Sequence, residues 1–542
     1  MTIGEKKLIG SKEVHPFTIP SGIITTEVSS LEWIARNIPE VGILTTKSIG
    51  PEPRSGNREP ILLQYNPGEF MNAVGLTNPG AAEFAKKLSN INFPKDKFLL
   101  ASIFGRDVDE FRYVASTLGP HVDGLELNLS CPHEKEVGMQ LGQDKDLVKE
   151  ITKGVVELTN KPVFVKLTPN ASNLKEIAKY AIDAGAYGIV AINTVGPGYF
   201  SVDGHDVLTN KDKVGGVSGK GILPVGLKCV RDIRQAVGEN VSIIGMGGIR
   251  NAADVKAYFG VGANFFGVGS ALAGMTEREI KNYFFDLRED VDSDIYTNNA
   301  EELLKEVDMK YRKVRIRKRI DSACDFKIIQ TNELIDAEPG QFVFAWIPGV
   351  GEKPFSVMDD NLLTLGILER GDFTKKLNSL NVGDEFYVRG PYGQGVRVPK
   401  KSNVVLVGGG CGIAGLYMLA KRFSQESNVL TVLAAKDKEH IAYMKEFEGY
   451  GEVRVATEDG SLGRKGLVTD LIENIKEESY FFNCGSKSMV NAVLPLELMV
   501  SNPEIVYSSV DYMTRCGVGI CGSCANEKGI RTCVKGPFMK SI

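Results

Sequence analysis

Apolar residues in the first half of the chain gather into eight short runs. They read FTIPSG, GILTTKS, KFLLASIFG, GLELNLS, PVFVKLT, GIVAINT, VSIIGMGG and FFGVGS, between Phe17 and Ser270. Each has the length of a strand, and each ends on Gly, Ser or Thr. Segments between them, such as NLKEIAKYAIDAGA and NAADVKAYFGVGA, carry the wider spacing of an amphipathic helix. Strands alternating with helices imply parallel βαβ units, and eight units fit an α/β fold of the (β/α)8 TIM-barrel type. The polar run ends then collect on one face, where such barrels build their sites. The stretch LLQYNPGEFMNAVGLTNPG is too long for a plain crossover and is expected to fold over that mouth.

The texture changes near Tyr311. FVFAWIP, LLTLGILERGDF and GDEFYVRGPYGQG are short strands with Gly turns, the pattern of a small antiparallel barrel. A second α/β pattern starts with VVLVGGGCGIAGLYMLAKRF. The expected domains are 1–288 (the catalytic barrel), 289–310 (a polar linker with a short helix), 311–400 (the antiparallel β-barrel), 401–505 (an α/β nucleotide domain) and 506–542 (a Cys- and Gly-rich tail). The basic run KYRKVRIRKR alternates Val314, Ile316 and Ile320 with charges, as a half-buried strand does.

Charge and composition narrow the function. The 542 residues carry a net charge of −4, which gives no electrostatic case for nucleic acid or an anionic membrane. MTIGEKKLIG has no apolar signal core, and the most apolar long run is Gly-rich and short for a membrane span, so a cytoplasmic protein is expected. The 59 glycines suit backbone contacts to phosphates. Nine cysteines are present and four fall in the last 27 residues, which favours ligands and a reactive thiol over disulfides.

Those four are Cys516, Cys521, Cys524 and Cys533, in RCGVGICGSCANEKGIRTC. The C-x4-C-x2-C…C spacing is that of a plant-type 2Fe-2S cluster. A zinc site of four thiolates is the alternative, although such sites favour paired C-x2-C units. Gly408, Gly409, Gly410 and Gly412 lie between a strand and a helix, where a pyrophosphate can meet amides, although glycines there also serve tight packing. Glu458 and Asp459 offer acidic partners for a ribose hydroxyl and favour NAD over NADP. Solvated loop charges are the alternative. Cys411 and Cys484 fall in turns of this domain, near a nicotinamide or simply packed, while Cys229 and Cys324 lack any chemical context.

With KPFSV at Lys353–Val357 and GPYGQG at Gly390–Gly395, this half resembles the ferredoxin-reductase family. In that family the small barrel binds FAD and the next domain a nicotinamide nucleotide. With its tail, the half is similar to the electron-transfer subunit of NAD-linked (class 1B) dihydroorotate dehydrogenases. The resemblance implies FAD contacts from Lys353, Pro354, Phe355, Ser356, Gly371 and Thr374, and NAD contacts that add Cys484 and Gly485 to the residues above. Three positions depart from the family pattern: Lys353 for Arg, Phe373 within the usual Gly-x-Gly-Thr turn, and Gly415 for Pro.

The barrel half resembles the catalytic subunit of the same family through TKSIG, NAVGLTNPG, LNLSCP, VKL, INT, GGVSG, GMGGI and GVGS, in family order. A fusion of the two subunits is implied, with FMN in the barrel and a homodimer formed through it. Gly247 and Gly248, with Gly269 and Ser270, would cradle the FMN phosphate. Lys166 would stabilise negative charge on the reduced ring. A structural ion pair is the alternative for it. Ser21, Gly22, Lys47, Ser48, Asn128, Ile192 and Gly219 complete the FMN set. Asn72, Asn128, Asn193 and Thr194 would read a pyrimidine ring, with Lys47 and the amides of Val74, Gly75 and Leu76 near a carboxylate.

Cys131 is the candidate base. It would take a C5 proton while hydride leaves C6 of dihydroorotate, although a buried inert cysteine is the bland alternative. His133 stands where many of the family carry Asn, and its loop resembles that of dihydropyrimidine dehydrogenases. A uracil-type dehydrogenase is therefore the first rival reading. An RNA dihydrouridine synthase-like flavoenzyme is the second, and a pure electron-transfer protein the third. The expected reaction is oxidation of dihydroorotate in pyrimidine biosynthesis, with electrons passing from FMN through 2Fe-2S and FAD to NAD.

Overall fold

A computed structural model describes residues 3–129, 141–293 and 297–541. Two compact units are present: Met1–Val307 with Val518–Arg531, and Asp308–Gly517 with Thr532–Ile542.

In the first unit all eight apolar runs become barrel strands. They are Phe17–Ile19, Val41–Thr45, Phe98–Ile103, Gly124–Asn128, Val163–Leu167, Gly188–Ala191, Ser242–Met246 and Phe265–Gly267. Each pairs in parallel with the next, and the last closes on the first. The helices between them start at side-chain caps where the sequence supplies them. Asp107 accepts from the Glu110 amide, Asp144 from those of Asp146 and Leu147, and Asn251 from that of Asp254.

The barrel interior is divided along its axis. Ile43, Phe98, Leu100, Phe164, Ile244 and Phe265 form one apolar cluster with Ile9 and Val14. Those two come from the hairpin of strands Lys7–Ile9 and Lys12–Val14, which closes the end where the barrel strands begin. Two residues on from Phe164, on the same face of its strand, Lys166 pairs in register with Asn128. The polar inward positions are thereby left for the other end. There, strands Val195–Tyr199, Val214–Gly219, Glu69–Asn72 and Leu62–Asn66 form an antiparallel sheet in that order. The segment expected over the mouth supplies two of its strands.

The first unit is completed from far along the chain. Ile24 N–H donates to the Ile520 carbonyl at 2.8 Å, the Thr26 hydroxyl to that of Cys521 at 2.6 Å, and Gly274 N–H to that of Val518 at 2.8 Å. Arg531, fully buried, donates to Glu277 Oε1 at 3.0 Å and to the carbonyls of Gly519 (2.9 Å) and Met275 (2.7 Å).

The second unit holds a closed six-stranded antiparallel barrel, in the order Arg312–Asp321, Phe326–Thr331, Thr364–Leu368, Gly351–Asp359, Phe342–Ile347 and Glu385–Tyr392. The basic run lies on its first strand, with Val314 and Ile316 buried and Arg315 paired to Glu385. A seven-stranded sheet follows, in the order Arg464–Lys465, Glu452–Thr457, Asn428–Ala435, Asn403–Gly409, Tyr480–Gly485, Val506–Val510 and Met539–Lys540. All its pairings are parallel except the last. Residues 506–542, expected as one tail domain, are thus shared between this sheet and the first unit. Among the described residues no helix is long and apolar enough to cross a membrane.

Under this sheet, Glu497 on the helix Lys487–Val500 accepts from Asn483 Nδ2 at 2.6 Å, and its second oxygen has no partner. Burial raises its carboxyl from 4.5 to about 8. The folded state therefore holds a proton that the unfolded chain releases near pH 4.5, and stability falls as pH rises from about 4.5 to 8. Glu497→Gln is expected to flatten that slope in denaturant melts across this range. An unchanged slope would place the proton elsewhere.

Candidate active site at the barrel mouth

A cavity of about 580 Å³ opens at the end of the barrel away from the hairpin plug. All the barrel site residues singled out from the sequence line it, apart from two of which nothing is described. Ser21 and Gly22 come from the first strand's end, Lys47 and Ser48 from the second, Asn128 from the fourth and Lys166 from the fifth. Ile192, Asn193 and Thr194 follow the sixth strand, Gly247 and Gly248 the seventh, and Gly269 and Ser270 the eighth. Asn72, Val74, Gly75, Leu76 and Gly219 come from the sheet over the mouth and its loops. The exceptions, Cys131 and His133, lie outside the described residues.

A polar floor joins several of these side chains. Ser48 Oγ is 3.1 Å from Ser21 Oγ and 2.9 Å from Ser102 Oγ, and Asn128 Nδ2 donates to it at 3.0 Å. The Asn193 amide reaches Asn128 Oδ1 at 3.5 Å. Asn193 Oδ1 accepts the Thr194 N–H at 2.9 Å, which fixes the amide's orientation. At Gly248 φ is +80°, and a Cβ would lie 2.8 Å from that of Leu223, so glycine serves both the turn and the close packing.

Lys166 is only 4% exposed, and its Nζ lies 3.8 Å from Glu126 Oε1. The ion pair given as the alternative for Lys166 is present in a loose form, and Lys166 still lines the cavity. Glu126 escaped the sequence reading. It lies two residues before Asn128 on the same strand, so the two-residue alternation carried the signal that it points inward. Thr168, Asn170, Asn210, Asp212, Ser218 and Ile520 also line the cavity and were missed, and Cys521, read from the sequence as a cluster ligand, lines it too. No local pattern could have placed the last two beside the barrel.

In the second unit, the sheet order turns back at the strand Asn403–Gly409. Gly408, Gly409, Gly410 and Gly412 stand at its carboxyl end, with Cys484 and Gly485 at the end of the neighbouring strand. Such a reversal is where open α/β sheets bind ligands. Packing explains part of the glycine pattern: a Cβ on Gly412 would lie 1.9 Å from the Cys484 carbonyl oxygen, while one on Gly410 would meet nothing within 4 Å. Burial pushes the Cys484 thiol up to about 12, so it stays protonated near neutrality. Asp459 Oδ1 accepts from both the hydroxyl (2.6 Å) and the amide (2.9 Å) of Ser461, which hold its carboxyl below the usual range. Glu458 beside it is exposed.

Lys353, Pro354, Phe355 and Ser356 lie on the strand Gly351–Asp359. Gly371 precedes the helix Asp372–Ser379, where Thr374 Oγ1 accepts the N–H groups of Arg370 and Gly371 and donates to the Gly371 carbonyl. Bare Gly415 leaves room for Ser356 Oγ and Cys484 Sγ, which would lie 3.4 and 3.3 Å from a Cβ there. In the tail, Cys516, Cys524 and Cys533 are buried and Cys521 partly so. Gly522 has φ +71°, and a Cβ there would lie 2.1 Å from the Ile24 carbonyl oxygen. Arg389, buried against Glu352 at 2.7 Å, donates to the Cys516 carbonyl at 2.9 Å.

A parallel eight-stranded barrel with glycine turns after its last two strands, and lysine and amide groups around one cavity, is the plan of a phosphate-binding barrel enzyme. The family model for dihydroorotate dehydrogenase matches residues 4–282. The chain belongs to the dihydroorotate dehydrogenase family and is an oxidoreductase. Curated relatives named dihydroorotate dehydrogenase B (NAD(+)), catalytic subunit, include those of Methanocaldococcus jannaschii, 38% identical, and Methanocella arvoryzae, 39% identical. These alignments cover 49% and 48% of this chain, and 86% and 83% of the relatives. Among solved structures, a chain of the NADH-dependent reduced ferredoxin-NADP oxidoreductase, described for flavin-based electron bifurcation, is 28% identical with a TM-score of 0.39. That match covers 42% of this chain and 88% of the other.

Proposed function

We propose that the chain oxidises dihydroorotate to orotate in pyrimidine biosynthesis, with electrons passing from FMN through a 2Fe-2S cluster and FAD to NAD+. The observation that carries this reading is the meeting of Lys47, Asn72, Asn128, Lys166 and Asn193 on one cavity of a family barrel.

The residues present fit these groups. A cavity of about 580 Å³ has the size of a cofactor pocket. The turns at Gly247–Gly248 and Gly269–Ser270 offer amides to a phosphate, with no side chain at the three glycines to block its approach. Four thiols in C-x4-C-x2-C…C spacing suit two irons. Lys353 to Ser356 on their strand, with Gly371 and Thr374, are the FAD candidates, although the Thr374 hydroxyl is already committed to its own helix cap. Gly410 leaves the nucleotide turn open, and exposed Glu458 is better placed than Asp459 to accept from a ribose hydroxyl.

Bound flavin supplies the acceptor for the hydride that leaves C6. Cys131 takes the C5 proton, so the C5–C6 bond becomes double. Asn72, Asn128 and Asn193 orient the pyrimidine ring with amide donors and acceptors. Lys47 and the amides from Val74 to Leu76 hold its carboxylate. Lys166 balances the negative charge that develops as the hydride arrives.

The test is anaerobic reduction of the purified protein, followed by the flavin and cluster absorbance. Dihydroorotate is expected to bleach the spectrum and dihydrouracil to leave it unchanged. Bleaching by dihydrouracil alone would transfer the assignment to a uracil-type dehydrogenase.

A further inference from the structure

The second unit carries a group of metal-ligating side chains that belongs neither to the nucleotide turn nor to the tail. Cys324 lies in the hairpin between strands Arg312–Asp321 and Phe326–Thr331 of the antiparallel barrel. His440 ends the short 3-10 helix Lys438–His440, which follows the sheet strand Asn428–Ala435. Backbone bonds seat the hairpin on that loop: Cys324 N–H donates to the Glu439 carbonyl, and Tyr443 N–H to Ser322 Oγ, each at 3.0 Å.

The side chains then converge. Cys324 Sγ is 3.0 Å from His440 Nε2 and 3.9 Å from Asp325 Oδ1, and ligand atoms of all three lie within 4.8 Å of one another. The other ring nitrogen, His440 Nδ1, is 2.6 Å from Asp437 Oδ1. Asp437 is fixed in turn by accepting the N–H groups of Glu439 and His440.

We propose that Cys324, Asp325 and His440 bind a zinc-type divalent cation, with water in the fourth position. A thiolate with an imidazole and a carboxylate selects a borderline-soft metal, whereas calcium and magnesium call for oxygen ligands. Zinc–ligand lengths of about 2.0 to 2.3 Å at a tetrahedral angle place sulfur roughly 3.5 Å from its neighbours. The observed 3.0 and 3.9 Å bracket that value, so small side-chain rotations suffice. Asp437 supplies the outer carboxylate that sets the ring orientation and tautomer of a metal-bound histidine. The local charge separates this reading from a reactive thiol. Besides desolvation, the negative charges of Asp325, Asp437 and Glu439 act on Cys324, opposed by Lys436, a field that attracts a cation and disfavours a bare thiolate. On binding, the thiol proton leaves to solvent and the sulfur–metal bond takes its place. The cation would pin the barrel hairpin to the loop whose Lys436 carbonyl accepts the Asp459 N–H at 3.2 Å.

The test uses the full-length protein as purified, stripped of loosely held metal and titrated with zinc by calorimetry and metal analysis. The wild-type chain is expected to take up one more zinc than Cys324→Ser or His440→Ala. Cys324 is exposed on its hairpin and His440 half-buried at the end of its short helix, and matching circular dichroism would show that the fold survives. Asp437→Asn keeps all three ligands and is expected to weaken zinc binding about 10- to 100-fold. Equal zinc uptake by the wild type and both ligand variants would overturn the proposal, as would an unaltered affinity in Asp437→Asn.

Discussion

Replacing Cys131 by Ser is expected to slow flavin reduction by dihydroorotate by about 10²- to 10⁴-fold, the usual contribution of a positioned general base. A serine hydroxyl holds its proton far more tightly than a thiol, so little base remains near neutral pH. The wild-type rate of this half-reaction should rise with pH and level off above about 8.5, where a free thiol is ionised. Stopped-flow reduction under anaerobic conditions reads both effects. Oxidation of NADH by an artificial acceptor should remain at the wild-type rate, because the proposed nucleotide site is built from Gly408–Gly412 and Cys484–Gly485 in the other unit. If dihydroorotate reduces the variant as fast as the wild type, Cys131 is not the base.

The largest expected loss of stability comes from Arg531→Met. In the folded chain this guanidinium satisfies Glu277 Oε1 and two backbone carbonyls, with no solvent to replace it. Removing it leaves the buried Glu277 carboxylate, at the start of the helix Glu277–Asp292, without its counter-charge and with only the backbone N–H of residue 531, at 2.8 Å, donating to it. Breaking one side of a buried pair costs about 3–5 kcal/mol. The double variant Arg531→Met/Glu277→Met should recover a large part of that, since neither charge then remains buried. Urea melts of the three proteins measure the difference. A single variant as stable as the wild type would mean that Glu277 relaxes to water.

The eight barrel strands were legible because each is a short apolar run closed by a small or polar residue, and parallel strands buried on both faces keep that signature. The cavity residues were legible for a related reason: strand ends define one face of a barrel, so position along a run predicts position in space. Glu126 was missed although the same alternation exposes it, because a carboxylate inside a barrel runs against the expected pattern of burial. Cys324 was left without a role since its partner His440 lies 116 residues away. A pairing at that distance is made by the docking of a hairpin on a loop, and nothing local records it. The spacing of the tail cysteines suggested a metal cluster, yet spacing says nothing of what a loop packs against. That is why Ile520 and Cys521 at the barrel cavity came only with the fold.

The return of Val518–Arg531 to the barrel bears on how this chain is made. A ribosome releases the first 307 residues well before it translates the segment that covers Ile24, Ser29 and Glu277. Until then the nascent barrel leaves to water the Ile24 amide that the Ile520 carbonyl later accepts, and its Glu277 side chain lacks its arginine. A gene truncated after codon 307 would keep every catalytic candidate and still yield an incomplete first unit. Supplying residues 518–531 as a separate peptide should bind and stabilise such a fragment, and that complementation would turn the covalent order of the chain into an assembly reaction.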